Sequence, residues 1–195
     1  MLENLKTKCS SRLRALMGSR ALRRFARQQD GSAAVEFALV AAPFLALTFA
    51  ILETAMVFFA GQTLEAAAAD SARLILTGQA QTAGYSKADF KTQVCNRIYG
   101  LFDCANGIYI DVKNYSSFAA ASITPPVNNG QLNTTNMNYT PGGPSCITVV
   151  SLYYQWPVYV SMFGNKLDNL SGGYRLLQAT SVFRNEPYGG ANACS

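Results

Sequence analysis

The sequence predicts an α+β protein: a single N-terminal transmembrane helix continues as a long amphipathic helix and packs against a small antiparallel sheet. Three observations predict it. The stretch Ala33–Ala60 is apolar apart from Glu36, Thr48, Glu53 and Thr54, with no charge from Phe37 to Leu52. Within Gln62–Ala80, Leu64, Ala68, Ala72 and Ile75 recur at helical spacing. Beyond residue 100, short β-branched and aromatic runs alternate with connections rich in Asn, Pro and Gly. At 195 residues the chain allows one modest domain beside an anchor.

Residues 1–31 form a basic leader. They hold eight Lys/Arg against Glu3 and Asp30, a balance of +6, whereas the remainder holds eight basic and nine acidic groups and comes to −1. The overall +5 therefore belongs to the leader. Lys and Arg flanking one end of a membrane helix keep that end cytoplasmic, and anionic lipid helps hold them there. Nucleic-acid binding, the other use of such a cluster, fits poorly with a lipid-embedded helix beside it.

Residues 32–60 are the transmembrane helix. A bilayer core needs about 20 apolar residues, and a buried core helix of this length would carry a polar face. A removable secretory signal has an apolar region of only ~7–15 residues, so an uncleaved anchor is the stronger rival. Gly31 sits at the polar-to-apolar junction, and Glu36 lies inside the apolar run, where a carboxylate costs a few kcal/mol or more unless it finds a partner. A cut after Gly31 would give Ser32 a new ammonium group. Glu36 would then be the fifth residue of the mature chain, able to pair with a neighbouring subunit's new N-terminus. Glycine before the cut leaves the backbone clear for a peptidase cleft at the membrane surface. Pro43 lacks an N–H and crowds the preceding turn, so it is expected to kink the helix or loosen one turn. Glu53 falls near the outer edge, reaching the interface or a subunit contact.

This arrangement resembles the type III signal sequence of type IV pilins and pseudopilins. The run Arg23 to Phe44 (RRFARQQDGSAAVEFALVAAPF) is most similar to the TadE-like branch, the pseudopilin-like proteins of tight-adherence (Flp) pilus systems. The resemblance continues through Ile51–Ala55, Gln62–Arg73 and Thr77–Ala80, and returns in Phe183–Tyr188. Residues 23–80 carry most of it, and 85–180 add little. It implies removal of the leader by a prepilin peptidase on the cytoplasmic side, retention of the apolar helix, and a role in pilus biogenesis and adherence.

Residues 61–84 extend the helix outward. From Ala33 to Ala80 it would be roughly 70 Å long at ~1.5 Å per residue, with Gly78 and Gly84 as candidate stops. Residues 85–195 form the extracytoplasmic α+β domain. Tyr85–Gly100 predicts a short helix with Ala88, Phe90, Val94 and Ile98 on its apolar side. Strands are predicted at Ile108–Tyr115, Cys146–Tyr154, Pro157–Phe163 and Tyr174–Arg184. The segment 124–144, with Pro125-Pro126, Asn129-Gly130 and Pro141-Gly-Gly-Pro, reads as a long exposed loop, either a contact surface or a poorly ordered connection.

Of five cysteines, Cys9 lies in the leader and is expected reduced. Cys95, Cys104, Cys146 and Cys194 fall on the exported side, where disulfides persist. Three pairings are possible. Cys95–Cys104 with Cys146–Cys194 is favoured, because the first closes a local loop and the second ties down the tail. Zinc is disfavoured by the lack of a C-x-x-C pair and of any His. Lack of His also removes the commonest general base and the Ser-His and Cys-His pairs. A Ser/Lys pairing of Lys166 with Ser161 or Ser171 has no supporting context.

The sequence thus points to a non-enzymatic, cofactor-free, metal-free pseudopilin-like assembly factor acting by helix packing. The expected partners are a prepilin peptidase, other pseudopilins and pilin subunits, and an inner-membrane pilus assembly platform, with no nucleic acid. The expected location is the bacterial inner membrane, single-pass, N-terminus cytoplasmic and C-terminal domain periplasmic or extracellular. The alternative is an uncleaved single-pass envelope protein whose outer domain binds a ligand or envelope component.

Overall fold

The structure, a computed structural model, describes residues 31–98, 100–159, 167–189 and 194. The leader up to residue 30, with Cys9, and the Ser161 and Lys166 of the imagined dyad lie outside them. The chain divides into two units that meet at Phe49 and Ala50. Helix α1 (Ser32–Leu76) begins in the first unit.

In the first unit, Val35, Phe37, Leu39, Val40, Phe44, Leu45, Leu47 and Phe49 each expose between 47% and 74% of their surface. Large apolar side chains point outward on every side, the reverse of a core helix. This helix is long and apolar enough to cross a membrane. The Thr48 hydroxyl donates to the Phe44 carbonyl at 2.9 Å, so this polar group is satisfied within the helix itself. Pro43 lies inside α1 and cannot donate to the Leu39 carbonyl.

In the second unit the same helix changes character. Val57, Ala60, Leu64, Ala67, Ala68, Ser71, Ala72 and Ile75 are buried, a stripe with steps of three and four residues. The predicted face of Leu64, Ala68, Ala72 and Ile75 is that stripe, and Glu65, Asp70 and Arg73 are exposed. The helix stops at Leu76, just before Gly78 with a left-handed φ of 75°. A single turn, α2 (Gln79–Thr82), follows. Next comes α3 (Lys87–Cys95), started by a capping box in which Ser86 and Asp89 bond each other's backbone N–H. Phe90 and Val94 are buried on it as expected; Ala88, expected beside them, is exposed.

The strands are β1 (Ile108–Tyr115), β2 (Val127–Asn128), β3 (Gln131–Leu132), β4 (Ile147–Pro157) and β5 (Tyr174–Arg184). β1, β4 and β5 form one antiparallel sheet in that order, and β2–β3 a separate hairpin. One sheet face presents Ile108, Ile110, Val112, Val150, Leu152, Tyr154, Leu177 and Ala179 to the α1 stripe and to Phe90 and Val94, in one core. Two expectations need correction. Pro157 does not open a strand; it closes β4, because Gln155 and Trp156 still pair with Leu176 and Arg175. Val158 and Tyr159 lie outside the strands, and 160–163 lie outside the described residues.

The second correction concerns residues 124–144, which are not one long exposed loop. Asn129 and Gly130, both with positive φ (50° and 73°), turn the β2–β3 hairpin. Tyr139 bridges Val112 in parallel, with Val112 N–H donating to Asn138 O and Thr140 N–H to Val112 O, both at 2.8 Å. Met137 and Pro144 are buried. Ser122, Thr124 and Pro126 line a small cavity over the sheet's second face together with Val149, Ser151 and Tyr153.

Candidate functional site

The expected processing site lies at the start of α1. Gly31 is exposed, and among the described residues nothing stands within 4 Å of a β-carbon built on it. Neither packing nor a left-handed backbone accounts for glycine there, unlike Gly78. Ser32 begins the helix, and Glu36 is exposed one turn further in. The local structure is thus an exposed glycine followed by a helix carrying an exposed carboxylate.

Glu53 is positioned differently. It is half-buried, on the same face as Val57, Ala60 and Leu64, and its carboxylate accepts a hydrogen bond from the Tyr159 backbone N–H. The sequence left Glu53 between an interfacial role and a subunit contact; a bond to the end of β4 was not foreseen.

Both favoured disulfides are formed, Cys95–Cys104 and Cys146–Cys194. The first ties the end of α3 to the turn before β1. The second joins the start of β4 to the C-terminal segment.

A second constellation closes the C-terminal end of α1. Glu186 N–H donates to the Leu76 carbonyl at 2.9 Å, occupying one of the acceptors a helix end leaves open. A β-carbon on Gly78 would meet the Tyr188 ring at 2.5 Å, so that ring lies flat on the glycine. Asn185 is buried, with its amide donating to the Pro141 and Gly143 carbonyls at 3.0 and 2.9 Å and its oxygen 3.2 Å from the Thr148 hydroxyl. Sequence reasoning assigned Asn185 and Tyr188 no role. The available signal was that Thr77–Ala80 and Phe183–Tyr188 both belonged to the resemblance, and these segments are joined here. The Tyr188 hydroxyl donates to the Gly142 carbonyl at 3.3 Å, and burial pushes the phenol up, with the Asn185 side chain working against it.

The charged groups of the sheet domain hold backbone. Asp111, buried, pairs with Lys113 at 2.7 Å and accepts from Asn138 N–H at 2.9 Å. Lys87 donates to the Met137 carbonyl at 2.8 Å; partial burial lowers its pKa, and Asp111 works against that. Between α3 and β1 lies a groove of about 360 Å³ lined by Lys87, Lys91, Ile108, Ile110 and Met137 among others. Among the described residues no cluster of three or more His, Cys, Asp or Glu could hold a metal.

Residues 31–73 match the family model described as TadE-like protein, in agreement with the resemblance read from the sequence. The match starts at Gly31 and covers the apolar span and most of the buried stripe. No curated protein and no solved structure matches the chain.

Proposed function

We propose that this single-pass protein is a pseudopilin-like assembly factor of a tight-adherence (Flp) pilus, acting by helix packing and not by catalysis. One observation carries the reading: a single TadE-like match takes in the Gly31 junction, Glu36, the exposed apolar helix and the stripe packed on the sheet. A prepilin peptidase cuts after Gly31, and the mature helix, beginning at Ser32, lies in the inner membrane beside pilin and pseudopilin helices. Glu36 is the group that pairs with a new N-terminus, and Pro43 bends the span. The N-terminal leader faces the cytoplasm and the outer domain the periplasm, where the assembly platform and fibre subunits are its partners.

The test is the intact mass and N-terminal sequence of the protein from native membranes, with and without the peptidase. A chain starting at Ser32 only when the peptidase is present is the expected result; Met1 in both samples would sink the maturation route. Glu36→Ala should leave insertion intact and impair incorporation or partner contacts.

The second reading, an uncleaved envelope protein with a ligand-binding outer domain, draws on the groove beside α3. It expects Glu36→Ala to be neutral or to improve insertion.

A further inference from the structure

The hydrogen bond between Glu53 and Tyr159 fixes the depth of the domain's rim. Ala33 to Leu52 supplies the ~20 residues that cross a hydrocarbon core of about 30 Å. Glu53 is the next residue, so it stands where the chain leaves the core. The headgroup layer beyond adds roughly 5–7 Å on each side. Met56 and Phe58 remain 43% and 70% exposed, and they lie about 4 to 8 Å further along the axis than Glu53, at the level of this layer. At that same level Val57 is already buried under the sheet domain. Lipid and domain therefore meet side by side around this turn of α1.

The part of the domain at this level has the chemistry of an interface. Tyr159 is 86% exposed, and its backbone is held by Glu53. Three residues before it, Trp156 is the chain's one tryptophan, half-buried in a cluster with Phe102 and Tyr154 at ring distances of 6.0 and 6.2 Å. Tyr174, opposite Pro157 across β4–β5, is 40% exposed. Tyr and Trp, apolar rings with one polar atom, are the side chains that favour the headgroup level.

We propose that this rim, with Tyr159 foremost, is seated in the phospholipid headgroup layer, so that the sheet domain rests on the outer surface of the bilayer. The proposal rests on the membrane-spanning reading of α1 and specifies where the span ends. It needs no partner protein.

The test reconstitutes the full chain in phosphatidylcholine–phosphatidylglycerol vesicles containing lipids brominated near the headgroup or near the acyl terminus. In a Trp156→Phe background, Tyr159→Trp reports on the rim and Phe44→Trp on the span; the unsubstituted chain, through Trp156, checks that the rim is undisturbed. The expected result is that shallow bromine removes roughly half the emission at position 159, deep bromine much less, and acrylamide little, while position 44 shows the deep preference. Strong acrylamide quenching at 159 with no lipid quenching, position 44 still responding to deep bromine, would overturn the proposal and leave the span standing. Shielding of 159 from both quenchers would mean that a second copy covers the rim, which also overturns it. If position 44 responds to neither lipid, the membrane reading falls, and the proposal with it.

Discussion

The Glu53 carboxylate binds the backbone N–H of Tyr159, a residue 106 positions later in the chain. A side chain of α1 thereby pins the point where β4 runs out. Glu53→Gln retains an oxygen acceptor and Glu53→Leu removes it. In hydrogen exchange, the Tyr159 amide should therefore exchange several-fold faster in the leucine variant and change little in the glutamine variant. Equal rates in both would show that the bond does not hold this segment.

Gly78 carries two constraints at once, a φ of 75° and a tyrosine ring pressed on its α-carbon. Gly78→Ala should cost about 2 kcal/mol or more, combining left-handed strain with a clash. Adding Tyr188→Ala relieves the clash but not the strain, so a double-mutant cycle should show favourable coupling. Chemical denaturation in micelles measures both.

Ser71 is wholly buried, and among the described residues its hydroxyl finds no hydrogen-bond partner. Removing an unsatisfied buried polar atom relieves a penalty of about 1–3 kcal/mol, less the small cavity left behind. Ser71→Ala should then be neutral or stabilising by up to ~1 kcal/mol. Ser71→Leu should destabilise, because the stripe there is lined with alanines that let the sheet approach closely.

The two disulfides enclose sequence separations of 9 and 48 residues. By loop-closure entropy the first is worth about 2–3 kcal/mol and the second about 4. Replacing Cys146 and Cys194 by serine should lower the thermal midpoint more than replacing Cys95 and Cys104. The reverse order would show that native-state effects outweigh chain entropy.

Asp89 is held below the usual carboxylate range by the hydroxyl and then the backbone N–H of Ser86. A depressed carboxylate stabilises the fold above its unfolded pKa, near 4, and that contribution disappears as pH falls through the lower folded value. Acid titration should loosen the start of α3 in this window. Ser86→Ala should flatten that limb of the stability profile while lowering stability at neutral pH.

Much of the fold was legible because its signals are local. The alternation in Ile108–Tyr115 and Tyr174–Arg184 set both strand bounds, and the helical spacing of Leu64 to Ile75 set the buried face. Gly78 and Gly84 both adopt positive φ where stops were expected. The order of residues 124–144 was not legible, since it comes from groups far away in sequence: Asp111 holds Asn138, Lys87 holds Met137, and Asn185 holds Pro141 and Gly143. β4 was cut short because Pro157 was read as a beginning, whereas pairing with Tyr174 makes it an end. Of the candidate site, the junction and the helix were visible in the residues. The Glu53–Tyr159 bond was not, because its donor is a backbone N–H and carries no side-chain signature.

The closure of α1 by Glu186 also dictates an order of events during biosynthesis. In the proposed topology the helix residues would be threaded outward early, yet the acceptor at Leu76 and the surface of Gly78 would stay open until residues 186–188 had crossed the membrane. The half-made chain thus carries an unfinished helix end and an unpaired Cys146. In that topology oxidation of Cys146 with Cys194 would mark complete translocation, and a stalled export intermediate would present itself as a free thiol.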